Sequence, residues 1–246
     1  MDPATILWIA LLMALAAALY STVGHGGASA YLAIMALFAV APEAMRPTAL
    51  ALNLVVAGFA AVRYWHAGQI NLRLLAAFVF TAAPAAFLGG TIQIAPEFYR
   101  PLVGLLLWAS AARLFWEPSR LAEREPHRPS LAVALPTGAG LGLLAGLTGT
   151  GGGIFLSPLI ILFGWEDARR TSGVVAGFIF LNSLAGLAGN LASIGSLPRE
   201  LPVMVAAVAA GALAGTWLGA GRLPKPRLLQ GLGLVLAIAG AKLIFA

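Results

Sequence analysis

Two glycine-rich stretches break into sequence that is otherwise apolar enough to stay helical inside a membrane. They are Ser21-Thr22-Val23-Gly24-His25-Gly26-Gly27 and Leu147-Thr148-Gly149-Thr150-Gly151-Gly152-Gly153. Each glycine costs a helix interior about 1 kcal/mol against alanine, so neither stretch holds a helix. Unwound backbone at membrane depth is tolerated only where protein or a water-filled cavity satisfies its N–H and C=O groups. Paired breaks at matching places in two halves point to a substrate site between repeats, as in secondary transporters.

The composition agrees with a membrane setting. Hydrophobic residues make up 60% of the 246-residue chain, charged residues 10%, and the mean hydropathy is +0.91. Soluble domains carry about 25% charged residues. Apolar segments fall at 5–20, 28–41, 47–64, 71–92 and 99–116, and again at 131–147, 154–164, 171–193, 201–220 and 227–245. The expectation is an all-α polytopic membrane protein, a single transmembrane domain over 1–246. It divides into a first repeat (1–116), a polar cytoplasmic connection (117–130) and a second repeat (131–246). An upright crossing takes about 20 apolar residues, so 28–41 and 154–164 are either half-helices of re-entrant hairpins or strongly tilted spans. No basic region precedes the first apolar run, where Asp2 stands instead, so a cleaved signal peptide is not expected. Cysteine is absent, which excludes disulfides and thiolate chemistry.

The halves resemble each other. Thr22, Gly26 and Gly27 align with Thr148, Gly152 and Gly153, and Ala44-Met45-Arg46-Pro47-Thr48 aligns with Ala168-Arg169-Arg170-Thr171-Ser172. Asn53 and Asn182 fall in the next helix of each half once a gap is allowed, and Phe87-Leu88-Gly89 resembles Trp217-Leu218-Gly219. One set of connections holds Arg63, Arg73, Arg113, Arg120, Arg124, Arg128, Arg169, Arg170, Arg222, Lys225 and Arg227; the opposite set holds Arg46, Arg100 and Arg199. Eleven against three places the central connection in the cytoplasm and both termini outside, on the periplasmic face. Five segments per half then make the repeats inverted, an arrangement suited to alternating access.

The acidic residues restrict the substrate. All nine (Asp2, Glu43, Glu97, Glu117, Glu123, Glu125, Glu166, Asp167 and Glu200) lie at the N-terminus or in expected connections. Intramembrane carboxylates are the usual cation sites and proton relays, so their absence argues against a cation; no metal and no cofactor is expected. A small anion fits better. Backbone N–H groups where helices restart after Gly24, Gly26 and Gly27, and after Gly151, Gly152 and Gly153, supply donors for it. The hydroxyls of Thr22, Ser29, Thr148, Thr150 and Ser157, with the amides of Asn53 and Asn182, add neutral hydrogen bonds. Thr48, Thr171 and Ser172 stand at the expected starts of helices at 47 and 171, where they cap the helix or also face the anion path. Arg46 and Arg170 beside them are recruiting charges. His25 is the titratable group placed inside the membrane, either a satisfied structural residue or one that contacts substrate or carries a proton. His66 and His127 are expected in solvent, and Trp8, Trp65, Trp108, Trp116, Trp165 and Trp217 mostly at the membrane interface.

Other motifs carry less. Gly138, Gly142 and Gly146 recur every fourth residue, as do Gly211, Gly215 and Gly219, forming faces on which helices approach closely. Gly140-Leu141-Gly142-Leu143-Leu144-Ala145 fits a loose dinucleotide fingerprint without a preceding strand, and Gly149–Gly153 lacks the Lys-Ser/Thr ending of a P-loop. The basic residues form no stripe, so the partners expected are a small anion and the lipid bilayer, not nucleic acid; a homo-oligomer stays open. A hydrolase using Ser29 or Ser157 with His25 as base lacks any nucleophile motif, so no enzyme is expected. An anion channel along the same path is the nearer alternative to a carrier.

Gly149-Thr150-Gly151-Gly152-Gly153-Ile154-Phe155-Leu156-Ser157-Pro158-Leu159, followed by Ala168-Arg169-Arg170-Thr171-Ser172, resembles the TauE/SafE family of membrane proteins, often called sulfite exporters. Gly24-His25-Gly26-Gly27 looks like a degenerate first copy, with Tyr31-Leu32 where the second half has Ser157-Pro158. The resemblance extends to the length and layout of the whole chain. It implies export of sulfite or a small organosulfonate such as sulfoacetate across the bacterial inner membrane, with other sulfur-containing or carboxylate anions among the substrates of members. His25 departs from the plainer glycine motif of many members.

Overall fold

The computed structural model describes residues 2–21, 24–115, 126–219 and 226–245, without the side chains of 114, 168, 194, 217–219 and 226–232. Thr22, Trp116, Arg222, Lys225 and the part of the central connection holding Glu117, Arg120, Glu123, Arg124 and Glu125 lie outside the described residues. So do the side chain of Trp217 and the surroundings of Gly219.

The chain forms α1 (Pro3–Ser21), α2 (Ala28–Leu37), α3 (Pro42–His66), α4 (Leu72–Thr91) and α5 (Pro96–Phe115), then α6 (Leu131–Thr148), α7 (Gly153–Leu162), α8 (Ala168–Gly189), α9 (Leu201–Gly219) and α10 (Pro226–Phe245). A short 3-10 turn, Leu191–Ser196, follows α8. No strand occurs among the described residues, and five of the helices are long and apolar enough to cross a membrane. The fold is all-α and polytopic. The short helices α2 and α7 have ten residues each, about 15 Å of helix against a hydrocarbon core of about 30 Å. They are half-length arms, not tilted spans.

α3 and α8 are the most buried of the spanning helices and pack against each other. α4 lies along α6, α1 along α9, and α5 along α10. Exchanging α1–α5 for α6–α10 carries the α4–α6 pair into the α9–α1 pair and maps α5–α10 and α3–α8 onto themselves. Glycines make these pairings close. A Cβ on Gly138, Gly142 or Gly146 would run into the carbonyls of Phe78, Ala82 and Ala86 on α4. One on Gly211 or Gly215 would meet those of Ala14 and Ala18 on α1. Small-residue faces thus let these helices approach closely, as membrane helices that gain little from hydrophobic exclusion require.

Two helix starts differ from the sequence expectation. α3 begins at Pro42, so Pro47 and Thr48 lie inside it and Thr48 caps nothing. Pro47 lacks the N–H that the Glu43 carbonyl would accept, and the Ser196 hydroxyl donates to that carbonyl instead at 3.0 Å. α8 begins at Ala168, capped by the Asp167 carboxylate, which accepts from the N–H groups of Arg169 (2.9 Å) and Arg170 (3.0 Å). Thr171 and Ser172 are therefore not caps either.

The connections gather at two opposite ends. At one end Ser196 reaches Glu43, the Ser193 hydroxyl donates to Gln93 at 3.4 Å, and Lys242 donates to the Leu37 carbonyl closing α2 at 2.9 Å. At the other, the Asn71 amide donates to Glu166 at 2.6 Å, and the His127 N–H donates to the Gly164 carbonyl at 3.0 Å. These are the two sets into which the basic residues divide the connections. His66 and His127 are exposed, as are Trp8, Trp65 and Trp108. Trp165 is not an interface anchor: it is 6% exposed, stacked on Phe163 with ring centres 5.1 Å apart and tilted against Phe78.

Candidate functional site

Both glycine breaks converge on one side chain, Asn53, near the middle of α3. A Cβ on Gly26 would press on Asn53 Oδ1, and one on Gly151 would lie 2.7 Å from Asn53 Nδ2. Side chains at either position would separate the breaks from α3. The same two glycines both face Ile179, near the middle of α8, whose Cγ2 would be 3.0 Å from either added Cβ. The breaks thus meet at the level where α3 and α8 cross.

Their surroundings match in detail. Gly24 packs on the Ser172 carbonyl of α8, and Gly149 packs on the Arg46 carbonyl of α3, 3.0 Å from an added Cβ. Gly27 precedes α2 with φ 91°, and Gly152 precedes α7 with φ 75°; both are left-handed, the region glycine enters without a Cβ penalty. Gly27 therefore occupies the position of Gly152, not of Gly153 as the sequence comparison pairs them. By the same contacts Asn53 has Ile179, not Asn182, as its counterpart. Neither half-helix has a side-chain cap, so both begin with amide N–H groups directed into the centre of the protein.

The expected site residues divide into those at this crossing and those away from it. Gly26, Gly27, Gly151, Gly152 and Asn53 are at it; Ser183 on α8, missed in the sequence, joins them by accepting from Asn53 Nδ2 at 3.4 Å. Asn182 follows Phe178, which touches Gly152, by one helical turn. Both of its amide atoms are buried without a partner, like Asn53 Oδ1 and the Thr48 hydroxyl. Such a group costs about 1–3 kcal/mol when nothing satisfies it, and native proteins hold few of them. Ser29 hydrogen-bonds the Tyr20 hydroxyl at 2.9 Å, and the buried Tyr31 hydroxyl lies beside Gly27. His25 is buried with its ring edge-on to Tyr20, centroids 6.3 Å apart.

Other residues differ from the expectation. Thr148 and Thr150 hydrogen-bond each other at 3.0 Å, and Thr148 donates to the Leu144 carbonyl at 2.6 Å, so both are turned to the end of α6. Thr171 donates to the Glu166 carbonyl and Ser172 hydrogen-bonds Tyr64, at the end of α8 remote from Asn53. Ser157 is buried in α7. Gly153 faces Ile179 and Val175, so hydrocarbon covers the start of α7. The two helix starts are unequal: the Tyr31 hydroxyl lies at the start of α2, whereas Ile179 and Val175 cover the start of α7. Thr22 lies outside the described residues.

Arg46 is the largest departure. Its neighbourhood to a loop suggests a solvated recruiting charge, yet it is 5% exposed. Nη1 donates to the carbonyls of Ile92 (2.8 Å) and Leu147 (3.5 Å), and Nη2 to those of Gly90 (3.2 Å) and Asn190 Oδ1 (2.6 Å). These oxygens close the C-terminal ends of α4, α6 and α8, where the helix dipole is negative. A cavity of about 50 Å³ abuts Arg46, lined also by Glu43, Gln93, Tyr99 and Ser193. The Tyr99 hydroxyl donates to the Thr148 carbonyl at 3.1 Å, joining this cavity to the second break. Arg170 is exposed and 4.0 Å from Asp167.

Comparison with known proteins places this architecture. Residues 9–243 match the family described as Sulfite exporter TauE/SafE. A probable membrane transporter protein, y4hK of Sinorhizobium fredii, is 39% identical over 92% of this chain and 93% of its own length. Another, YjnA of Bacillus subtilis, is 26% identical over 92% of this chain and 95% of its own. No solved structure matches. A family match over nearly the whole length, with transporter relatives covered end to end, settles the family: the chain belongs to the TauE/SafE family of membrane transporters.

Proposed function

We propose that the protein carries a small anion, sulfite or an organosulfonate such as sulfoacetate, outward across the bacterial inner membrane by alternating access. The observation that carries this reading is the meeting of the two glycine breaks at the Asn53 amide, beside the uncapped start of α2 and with no carboxylate among the described residues of that centre. Amide dipoles and N–H groups stabilise an anion there without a fixed positive charge, so the anion is held and also released. The halves act as inverted repeats, a relation supported by the matching contacts of Gly24 with Gly149 and of Gly26 with Gly151.

The end holding Asn71 and Glu166 is the cytoplasmic one, as the basic residues argue. There Gly173 packs against the Gln69 backbone and Asn71 grips Glu166, while the opposite end holds the cavity at Arg46. This asymmetry supports an outward-facing state. An inside-negative potential drives a monovalent anion outward by about 2.3 kcal/mol per 100 mV, so export needs no coupled proton. The test is flux of sulfite and sulfoacetate into and out of proteoliposomes at imposed potentials, with counterflow. Saturable, potential-dependent flux with counterflow is expected. Potential-independent flux removes the uncoupled version, absence of counterflow converts the carrier into a channel, and no flux of either anion removes the substrate assignment.

A further inference from the structure

We propose that Arg46 forms a second anion site, an outer docking point at which a small oxyanion binds the guanidinium from the cavity between α3 and α5. Anion transport supplies the class of ligand and the proposal rests on that reading for it; the charge and the cavity stand without it.

Among the described residues, the hydrogen-bond partners of the buried Arg46 cation are all neutral: three backbone carbonyls and the Asn190 amide oxygen. Carbonyl dipoles at helix ends offset a full charge only in part. Burying a charge without a counterion is costly, which leaves Arg46 with more to gain from an anion than an exposed arginine has. A helix-end staple needs no open volume at its face, yet the cavity abuts Arg46 itself. Gln93 and Ser193, which line the same cavity, carry N–H and O–H groups suited to the remaining oxygens of a bound anion, the Ser193 hydroxyl by giving up its long 3.4 Å bond to Gln93. The four Nη hydrogens are held by the three carbonyls and Asn190 Oδ1, so an oxyanion gains its place by competing for one of them, first the Nη1 hydrogen that reaches the Leu147 carbonyl at 3.5 Å. Glu43, exposed on the rim, repels a bound anion and so favours release over trapping.

The site also communicates with the transport centre. Arg46 Nη1 holds the Leu147 carbonyl, the Gly149 backbone packs on Arg46, and Tyr99 holds the Thr148 carbonyl. An anion that draws the guanidinium toward the cavity competes with the Leu147 carbonyl, the longest of the four bonds. Occupation of the outer site is thereby linked to the position of the second break.

The chain contains no cysteine, so Ser193→Cys provides a single thiol at the cavity wall. The experiment measures its maleimide alkylation rate in detergent-solubilised protein, with sulfate as probe against gluconate of equal ionic strength. Sulfate is expected to slow labelling saturably in Ser193→Cys and to have no effect in Ser193→Cys/Arg46→Gln. Arg46→Lys keeps the charge and loses the fork, and is expected to raise the half-protecting sulfate concentration about tenfold or more, the worth of one charge-assisted hydrogen bond. Equal labelling in sulfate and gluconate overturns the proposal, as does protection that persists in Arg46→Gln. Should Arg46→Gln fail to fold, unchanged protection in Arg46→Lys overturns it equally. Wild-type protein that transports sulfite while the reporter shows no protection defeats this site alone. Protection without any anion flux leaves the site and removes the transport reading.

Discussion

Replacing Asn53 by leucine separates binding from stability, because this side chain gives the fold little and the site much. Its Oδ1 is buried without a partner, and its Nδ2 has a single long bond, 3.4 Å to Ser183. Exchanging a poorly paired polar group for an apolar one of similar shape is nearly neutral, so the change in stability is expected to stay within about 1 kcal/mol. A hydrogen bond to a charged ligand contributes about 1.5–3 kcal/mol, and 1.4 kcal/mol is a factor of ten. One such bond lost from Asn53 to the anion therefore raises the half-saturating sulfite concentration about 10- to 150-fold. The assay is initial sulfite flux into proteoliposomes across a concentration series, beside thermal unfolding of the purified protein. Asn53→Leu with wild-type saturation refutes Asn53 as an anion ligand. Loss of flux accompanied by a large drop in unfolding temperature refutes the separation, since Asn53 would then be holding the breaks together.

Four other predictions concern the α4–α6 face, the half-helix starts and His25. Gly142→Val, which drives a side chain into the Ala82 carbonyl, should destabilise the α4–α6 pair by about 1–3 kcal/mol in thermal unfolding. Gly140→Val on the same helix, with nothing within 4 Å of its added Cβ, should leave unfolding unchanged. Gly27→Val and Gly152→Val should abolish flux while the protein still inserts, because valine at φ 91° and φ 75° must refold the half-helix starts; wild-type flux in either contradicts the close approach inferred there. His25→Ala should alter the pH dependence of flux, and an unchanged profile returns His25 to a structural role.

The sequence alone determined that this chain is a bundle of membrane helices with two unwound places, and it confines the carboxylates to the N-terminus and the expected connections. Hydropathy, glycine content and charge position are local properties, and the ten helices begin and end within a few residues of the apolar runs. The motif from Gly149 to Leu159, taken with Ala168–Ser172, the degenerate first copy and the length and layout of the chain, carried the resemblance to the family. Tertiary structure decided which side chains the breaks share. Asn53 pairs by contact with Ile179 because close packing at Gly26, Gly151, Gly24 and Gly149 sets the register between helices, and no periodicity within one helix reports that register. Arg46 and Trp165 were placed near water by their proximity to connections, yet helix ends and aromatic rings bury them. A residue's distance from a loop along the chain says how deep it enters the membrane. It does not say what stands beside it, and the chemistry of this site is made by what stands beside it.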